Sequence, residues 1–428
     1  MLQPGRFTWL GSSQYRHILN LKPYNIMHTV TTSHRTRKGG CRVLLFLIVL
    51  VAGGPVLPNL YAQDLQTTLA AVESRVLDSR QAYFLGQIQE RASHLSVHLV
   101  RLYDARSLAQ TKTLVLDLGK GPGQVPFLIE EVIYKPNSDF MLKGRPLNQE
   151  GYLFLSVYAE SLFGIVQLYE DARSFTVEPV GGGVHAVAEV DPTPAKPEHP
   201  IGFEDGADGR SEKAPSNSNE GLGKSMSNPV IDVMCVYTDD AAGATANIEG
   251  ICEGAVNVSN DGLSNSLAPP RLNLIHMMEV TYNESGNAVT DVTRLQGTSD
   301  GHMDNIHSVR NQVGADVVVL IVENTSAFGI VAEIGGGVND AFAVVEWNQA
   351  IGNYTFAHEV AHLVGGHHEN DASNPNPWAR GYRYIPGNWR TILARSANPE
   401  PRVNYFSNPD NSALGVPMGT ATNDVVHV

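Results

Sequence analysis

Apolar and polar positions change character several times along the 428 residues. Residues 43–52, Val-Leu-Leu-Phe-Leu-Ile-Val-Leu-Val-Ala, are an unbroken apolar run, well short of the roughly 20 residues a membrane span needs. Arg35, Arg37, Lys38 and Arg42 precede it, and Leu60-Tyr61-Ala62 follow after a Gly-Gly-Pro break. A basic flank, a short apolar core and a small closing residue predict a secretory signal peptide over 1–62, and an exported product with no stable membrane insertion. Met27 is a more ordinary start for such a segment than Met1. From 63 to 190, short β-favouring runs recur between turn residues, at 96–102, 113–118, 127–134, 152–158, 164–168, 175–177 and 184–190. With a helix predicted over 69–89, they make a β-rich domain.

Residues 191–229 lose almost all large apolar side chains and gain Pro192, Pro194, Pro197, Pro200 and Pro215 among Ser, Asn, Gly and acidic residues. That composition predicts an exposed, flexible linker of the sort proteases cut. From 230 to 428 the periods alternate. Strands are predicted at 230–237, 271–282, 316–322, 329–334 and 341–347, with helices at 241–263, 301–313 and 353–364. This is α/β order, one sheet with helices on its faces, and after Gly366 the pattern turns irregular.

Composition narrows the function. Acidic residues number 44 and basic residues 30, a formal charge of −14. Without residues 1–62, which hold seven basic and no acidic residue, 23 basic face 44 acidic, a charge of −21. An acidic surface excludes nucleic acid as the main partner. Three cysteines, Cys41, Cys235 and Cys252, exclude a disulfide scaffold and a Cys-ligated zinc module. Cys41 goes with the signal segment. Cys235 and Cys252 fit either a disulfide in an exported protein or two buried thiols.

One segment carries chemistry: His358-Glu359-Val360-Ala361-His362-Leu363-Val364-Gly365-Gly366-His367-His368. His358 and His362 stand one helical turn apart on one face, so two imidazoles reach one ion. Gly365 takes a positive φ, ends the helix and returns the chain with His368 as third ligand. Three protein ligands leave a position for water, as a catalytic zinc site requires. Glu359, beside the first ligand, is placed as general base and later acid. His367 is read as a neighbour that points elsewhere. Calcium is possible but nothing indicates it.

The eleven residues from His358 to His368 match the metzincin signature HExxHxxGxxH. The stretch around them resembles the bacterial reprolysin-like (adamalysin-type) branch of secreted zinc metalloproteases. Further matching motifs are Val236-Tyr237-Thr238, Gly314-Ala315-Asp316-Val317-Val318-Val319-Leu320, Phe356-Ala357, Trp389-Arg390-Thr391-Ile392 and Tyr405-Phe406-Ser407-Asn408-Pro409. The resemblance covers about 230–420. It implies a metzincin-like α/β fold: a twisted, mostly parallel five-stranded sheet with an antiparallel edge strand, an active-site helix and an irregular C-terminal subdomain. The edge strand, Gly329 to Ile334, would hold the peptide substrate of a monomeric zinc endopeptidase, and 63–190 would be a propeptide domain. Three departures stand out. Leu393 replaces the Met of the turn beneath the zinc, with Arg395 where relatives often carry Tyr. Glu369 follows the third ligand where Asp is more frequent. No Cys lies in 63–229, so latency cannot use a Cys-to-zinc switch; if the propeptide blocks the site it uses another group, for which His199, Glu204 or Asp205 are weak candidates that read more simply as solvated linker residues. The departures around the turn also allow a zinc-binding but catalytically weak or inactive adhesion module, from which the intact Glu359 discriminates.

Overall fold

The computed structural model describes residues 66–137, 139–192, 196–197, 229–371, 376–395 and 400–427. The apolar run 43–52, most of the linker, and His199, Glu204 and Asp205 lie outside these. Among the described residues no helix is long and apolar enough to cross a membrane.

The first block is one ten-stranded sheet. In chain order its strands are β1 (Gln66–Thr68), β2 (Ala70–Ala71), β3 (His94–Arg101), β4 (Thr113–Asp117), β5 (Gln124–Tyr134), β6 (Phe140–Pro146), β7 (Gly151–Tyr158), β8 (Ser161–Leu168), β9 (Arg173–Gly181) and β10 (Val184–Val190). Their spatial order is β1-β4-β5-β6-β7-β8-β9-β10-β3-β2. Helix α1 spans Ser79–Gln89 rather than 69–89. Asp78 accepts from Gln81 N–H while the Gln81 side chain accepts from Asp78 N–H, and this capping box fixes the start. Upstream, pairing with β4 and β3 claims the backbone for strand. The strand β6 has no counterpart in the predicted pattern. A second short helix, α2, covers Ala105–Leu108.

The second block is the expected five-stranded sheet. It consists of β11 (Val230–Thr238), β12 (Arg271–Val280), β13 (Val317–Val322), β14 (Gly329–Val331) and β15 (Phe342–Glu346), in the order β12-β11-β13-β15-β14. All pairings are parallel except β14 with β15, which is antiparallel. The edge strand is thus where the sequence placed it, but three residues long. The predicted helix over 241–263 is two helices, α3 (Asp239–Ala244) and α4 (Ile248–Asn265). Thr245 is extended, and Asn247 opens α4 by accepting from Gly250 N–H. An unpredicted helix, α5 (Ala288–Gln296), precedes α6 (Asn305–Val313). Last comes α7 (Thr355–Leu363), buried at all nine positions.

The blocks share a core. Phe154, Phe163 and Ile165 of the first cluster with Val233, Ile251, Ile351 and Phe356 of the second. The seat is α4, a poor intrinsic helix former with Gly at 250, 254 and 262. A Cβ on Gly250 would lie 2.2 Å from the Phe163 ring, and one on Gly254 would lie 2.8 Å from Ile351. The missing side chains are the slot that Phe163 fills. Polar pairs ring it: Asn257 Nδ2 donates to Ser156 Oγ (2.9 Å), Asn404 Nδ2 to Tyr152 Oη (2.8 Å), and Lys143 pairs with Asp261. Arg91, bidentate to Glu178 at 2.7 and 2.9 Å, stacks 4.2 Å over Trp347.

Candidate metal centre

Helix α7 starts abruptly, with Tyr354 in the left-handed region at φ 57°. His358 and His362 follow four residues apart on its buried face, and both are fully buried. Gly365, at φ 98°, turns the chain back as expected. His368 then returns, so that His358 Nε2 lies 2.9 Å from His362 Nε2 and 3.2 Å from His368 Nε2. A tetrahedral zinc with Zn–N near 2.0–2.1 Å holds ligand nitrogens roughly 3.3 Å apart, so the three are pre-arranged around one ion.

The tautomers are set by the far side of each ring. His358 Nδ1 donates to the Ile392 carbonyl (2.8 Å) and His362 Nδ1 to the Gly366 carbonyl (2.7 Å), leaving their Nε2 lone pairs pointing inward. Burial holds both rings neutral: it pushes His358 down to about 3 and His362 well below its ordinary value. Neutral imidazoles facing one point, with no carboxylate among them, are the donor set zinc favours. Among the described residues this is the group of His, Cys, Asp and Glu side chains that converges tightly enough to hold a metal. His367 is not part of it. Its Nδ1 pairs with Asp371 and its N–H donates to the Ala379 carbonyl.

Glu359 is fully buried, and neither carboxylate oxygen has a hydrogen-bond partner among the described residues. Burial raises its pKa well above the usual carboxylate range. Its roof is Gly329, the first residue of β14, where a Cβ would lie 2.4 Å from Glu359 Oε1. The sequence named both residues but gave no hint that one must be glycine because of the other.

Leu393 takes the place of the Met in the turn. Leu393 is fully buried, with its Cδ1 2.5 Å from where a Cβ on Gly366 would stand. Two buried arginines brace this turn: Arg390, from the Trp389–Ile392 motif but assigned no role by sequence, and Arg402, from outside any motif. Arg390 donates to the Glu400 and Ala394 carbonyls (2.7 and 2.8 Å). Arg402 donates to those of Asn353 and Ala394 (both 2.9 Å). Burial lowers both guanidiniums to about 9. Glu369 accepts from Arg395 N–H at 2.9 Å, so the first and second sequence departures touch each other. Cys235 and Cys252 are both buried free thiols, and burial raises the Cys235 pKa.

A three-histidine site, two ligands on a helix and the third returned by the turn after it, beneath an antiparallel edge strand of a mostly parallel sheet, is the arrangement of the zinc-peptidase class. Comparison with known proteins carries this to a family. The profile of metallo-peptidase family M12, reprolysin type, matches residues 228–407. The peptidyl-Asp metalloendopeptidase of Stenotrophomonas maltophilia strain R551-3 is 37% identical over 265 residues, 59% of this chain and 62% of that protein. The protein of that name from strain K279a is 32% identical over 397 residues, 87% of this chain and 93% of its own length. One from Xanthomonas campestris pv. campestris is 37% identical over 262 residues, 58% and 61% of the two chains. The chain belongs to metallo-peptidase family M12 and is a zinc metalloendopeptidase of the reprolysin-like type.

Proposed function

We propose that this chain is an exported endopeptidase, made as a precursor, that cuts peptide bonds next to aspartate, with His358, His362 and His368 as zinc ligands and Glu359 as the proton-transfer group. The observation that carries the reading is the pairing of three inward-facing Nε2 atoms with a buried carboxylate that has no hydrogen-bond partner among the described residues. A buried carboxylate without a hydrogen bond is costly, and its retention next to His358 suits a group kept for proton transfer rather than for structure. Bound zinc supplies a water with pKa near 7 and polarises the scissile carbonyl. Glu359 takes a proton from the attacking water and hands it to the departing amine. The edge strand from Gly329 to Ile334 holds the substrate backbone by main-chain hydrogen bonds, which grip any sequence.

The aspartate preference is supported by the names of the relatives and by charge. Among the described residues from 376 to 427 there are five arginines, no lysine and three acidic residues; of the arginines, Arg390 and Arg402 are buried on carbonyls and Arg383 pairs with Glu400. Arg395, partly exposed and two residues past Leu393, is the member of that set nearest in sequence to the turn beneath the ligands. Residues 63–190 serve as the propeptide domain, 191–229 as the linker cut on maturation, and 1–62 as the export signal.

The test is metal content and hydrolysis of Asp-containing peptides by purified full chain, beside Glu359→Gln. One zinc per chain in both, with turnover reduced by about 10²–10⁴ in the variant, is expected. Equal activity in the two would remove Glu359 from the chemistry. Zinc in both without hydrolysis by either, even after the linker is nicked, would leave a binding module.

A further inference from the structure

One dipeptide of the linker is seated in the second block. Lys196 Nζ lies 2.8 Å from Asn324 Oδ1, 3.1 Å from the Thr325 carbonyl, and 3.1 and 3.2 Å from the two carboxylate oxygens of Glu346. These distances are those of an ammonium donating hydrogen bonds, longer than the 2.3–2.6 Å of calcium–oxygen contacts. Four acceptors around one point also suit a compact ammonium better than a planar guanidinium. The receiving carboxylate is 5% exposed, so it needs a counter-cation. All the receiving oxygens come from the second block. The next residue continues the engagement: Phe328 N–H donates to the Pro197 carbonyl at 3.1 Å. Phe328 immediately precedes Gly329, the residue that roofs Glu359. Alongside runs a cavity of about 350 Å³, bordered by Ser93, Lys196, Phe328, Glu346 and Trp347. Just past β10, Asp191 N–H donates to the carbonyl of Ser93, one of the residues that border it.

We propose that Glu346, Asn324 and Thr325 form a peptide subsite for a lysine side chain at the upstream end of the edge strand, and that Lys196 is its resident occupant in the full chain. The proposal rests on the endopeptidase reading. An occupant with its ammonium on Glu346 and its next carbonyl on Phe328 N–H lies within one residue of the strand assigned to substrate. When the linker is cut and released, the buried carboxylate is left for the lysine of an incoming peptide.

The experiment uses the full chain carrying Glu359→Gln, so that binding is read without turnover. Lys196 is one-third exposed, and Lys196→Met vacates the subsite at the cost of leaving the Glu346 carboxylate unpaired, so a thermal melt first confirms that the variant is folded. The probes are fluorescein-labelled hexapeptides of alanine with one aspartate, in which a single lysine is walked along the positions, each beside its norleucine counterpart. With Lys196→Met, one lysine position is expected to bind about fivefold or more tightly than norleucine. Restoring Lys196, or adding Glu346→Gln, removes that preference. Equal affinity for lysine and norleucine at every position in the Lys196→Met chain overturns the subsite. Hydrolysis by the Lys196→Met chain with Glu359 intact reports separately on the peptidase reading. A lysine preference without hydrolysis keeps the subsite and discards the peptidase.

Discussion

Gly329 and Glu359 are separated by 30 positions in the chain and by almost nothing in space, and the absent Cβ is what lets the carboxylate lie beside the edge strand. Gly329→Ala should push the carboxylate aside without touching a histidine. Zinc content should be unchanged while kcat falls about 10²-fold, the order seen when a reacting group is misplaced by an ångström. A fall confined to KM would show that the strand, not the carboxylate, was disturbed. Leu393 is the contrasting case. It fills the floor by volume alone, so Leu393→Met should change stability by less than about 1.5 kcal/mol and leave turnover nearly intact, as thermal melts and kcat/KM would show. The same difference explains what was legible in the sequence. His358, Glu359 and His362 are fixed by local spacing on one helix and His368 by the turn that follows it, so the cluster could be read. The roles of Gly329, Arg390 and Arg402 depend on segments brought together by tertiary folding, and an arginine anchored on carbonyls looks in sequence like any surface arginine.

At the level of elements, regular patterns were read well and irregular ones poorly. The uninterrupted Val-Val-Val-Leu-Ile-Val of β13 could only be a buried strand, and it is. The helix expected over 69–89 lost its first half because two sheet edges captured that backbone, and helix α5 went unread although Asn287 caps it and Ala288, Val292 and Leu295 share its buried face. Helix α4 shows packing overriding propensity. Gly250→Ala gains about 1 kcal/mol of helix propensity, yet puts a Cβ 2.2 Å from Phe163, and overpacking costs about 1–3 kcal/mol. Net destabilisation is expected in denaturant melts, relieved when Phe163→Leu is added. A second element-scale prediction concerns β10. His185 is buried, accepts from Leu162 N–H at 2.9 Å, and is held by burial down to about 4 against an ordinary 6.5. The folded state therefore keeps the ring neutral where the unfolded chain takes up a proton. Its share of stability is intact above pH 6.5 and is lost as pH falls from 6.5 to 4, by about 3 kcal/mol in all. His185→Gln, which retains an acceptor, should flatten unfolding midpoints across that window.

For the whole molecule, metal and block docking are the two sources of cohesion. Three imidazole lone pairs facing one another gain from an ion, and ligand in thousandfold excess over its Kd adds about 4 kcal/mol to the folded state. Chelation should lower the melting temperature, and zinc alone should restore it; a melt indifferent to chelator would argue against an ion at this centre. Cutting the linker should not by itself separate the blocks, because Phe163, the Arg91–Trp347 stack and the Asp261 pairs all lie elsewhere. The cut chain is expected to elute as one species in size-exclusion chromatography and to melt in one transition. The glycine slot on α4 also limits recombination with relatives. A chimera that takes its amino-terminal half from one family member and its peptidase half from another inherits a lock from one parent and a key from the other. It will be soluble only where the donor supplies an aromatic ring at the position of Phe163 and the acceptor leaves the positions of Gly250 and Gly254 bare, so the two halves are expected to have diversified as a pair.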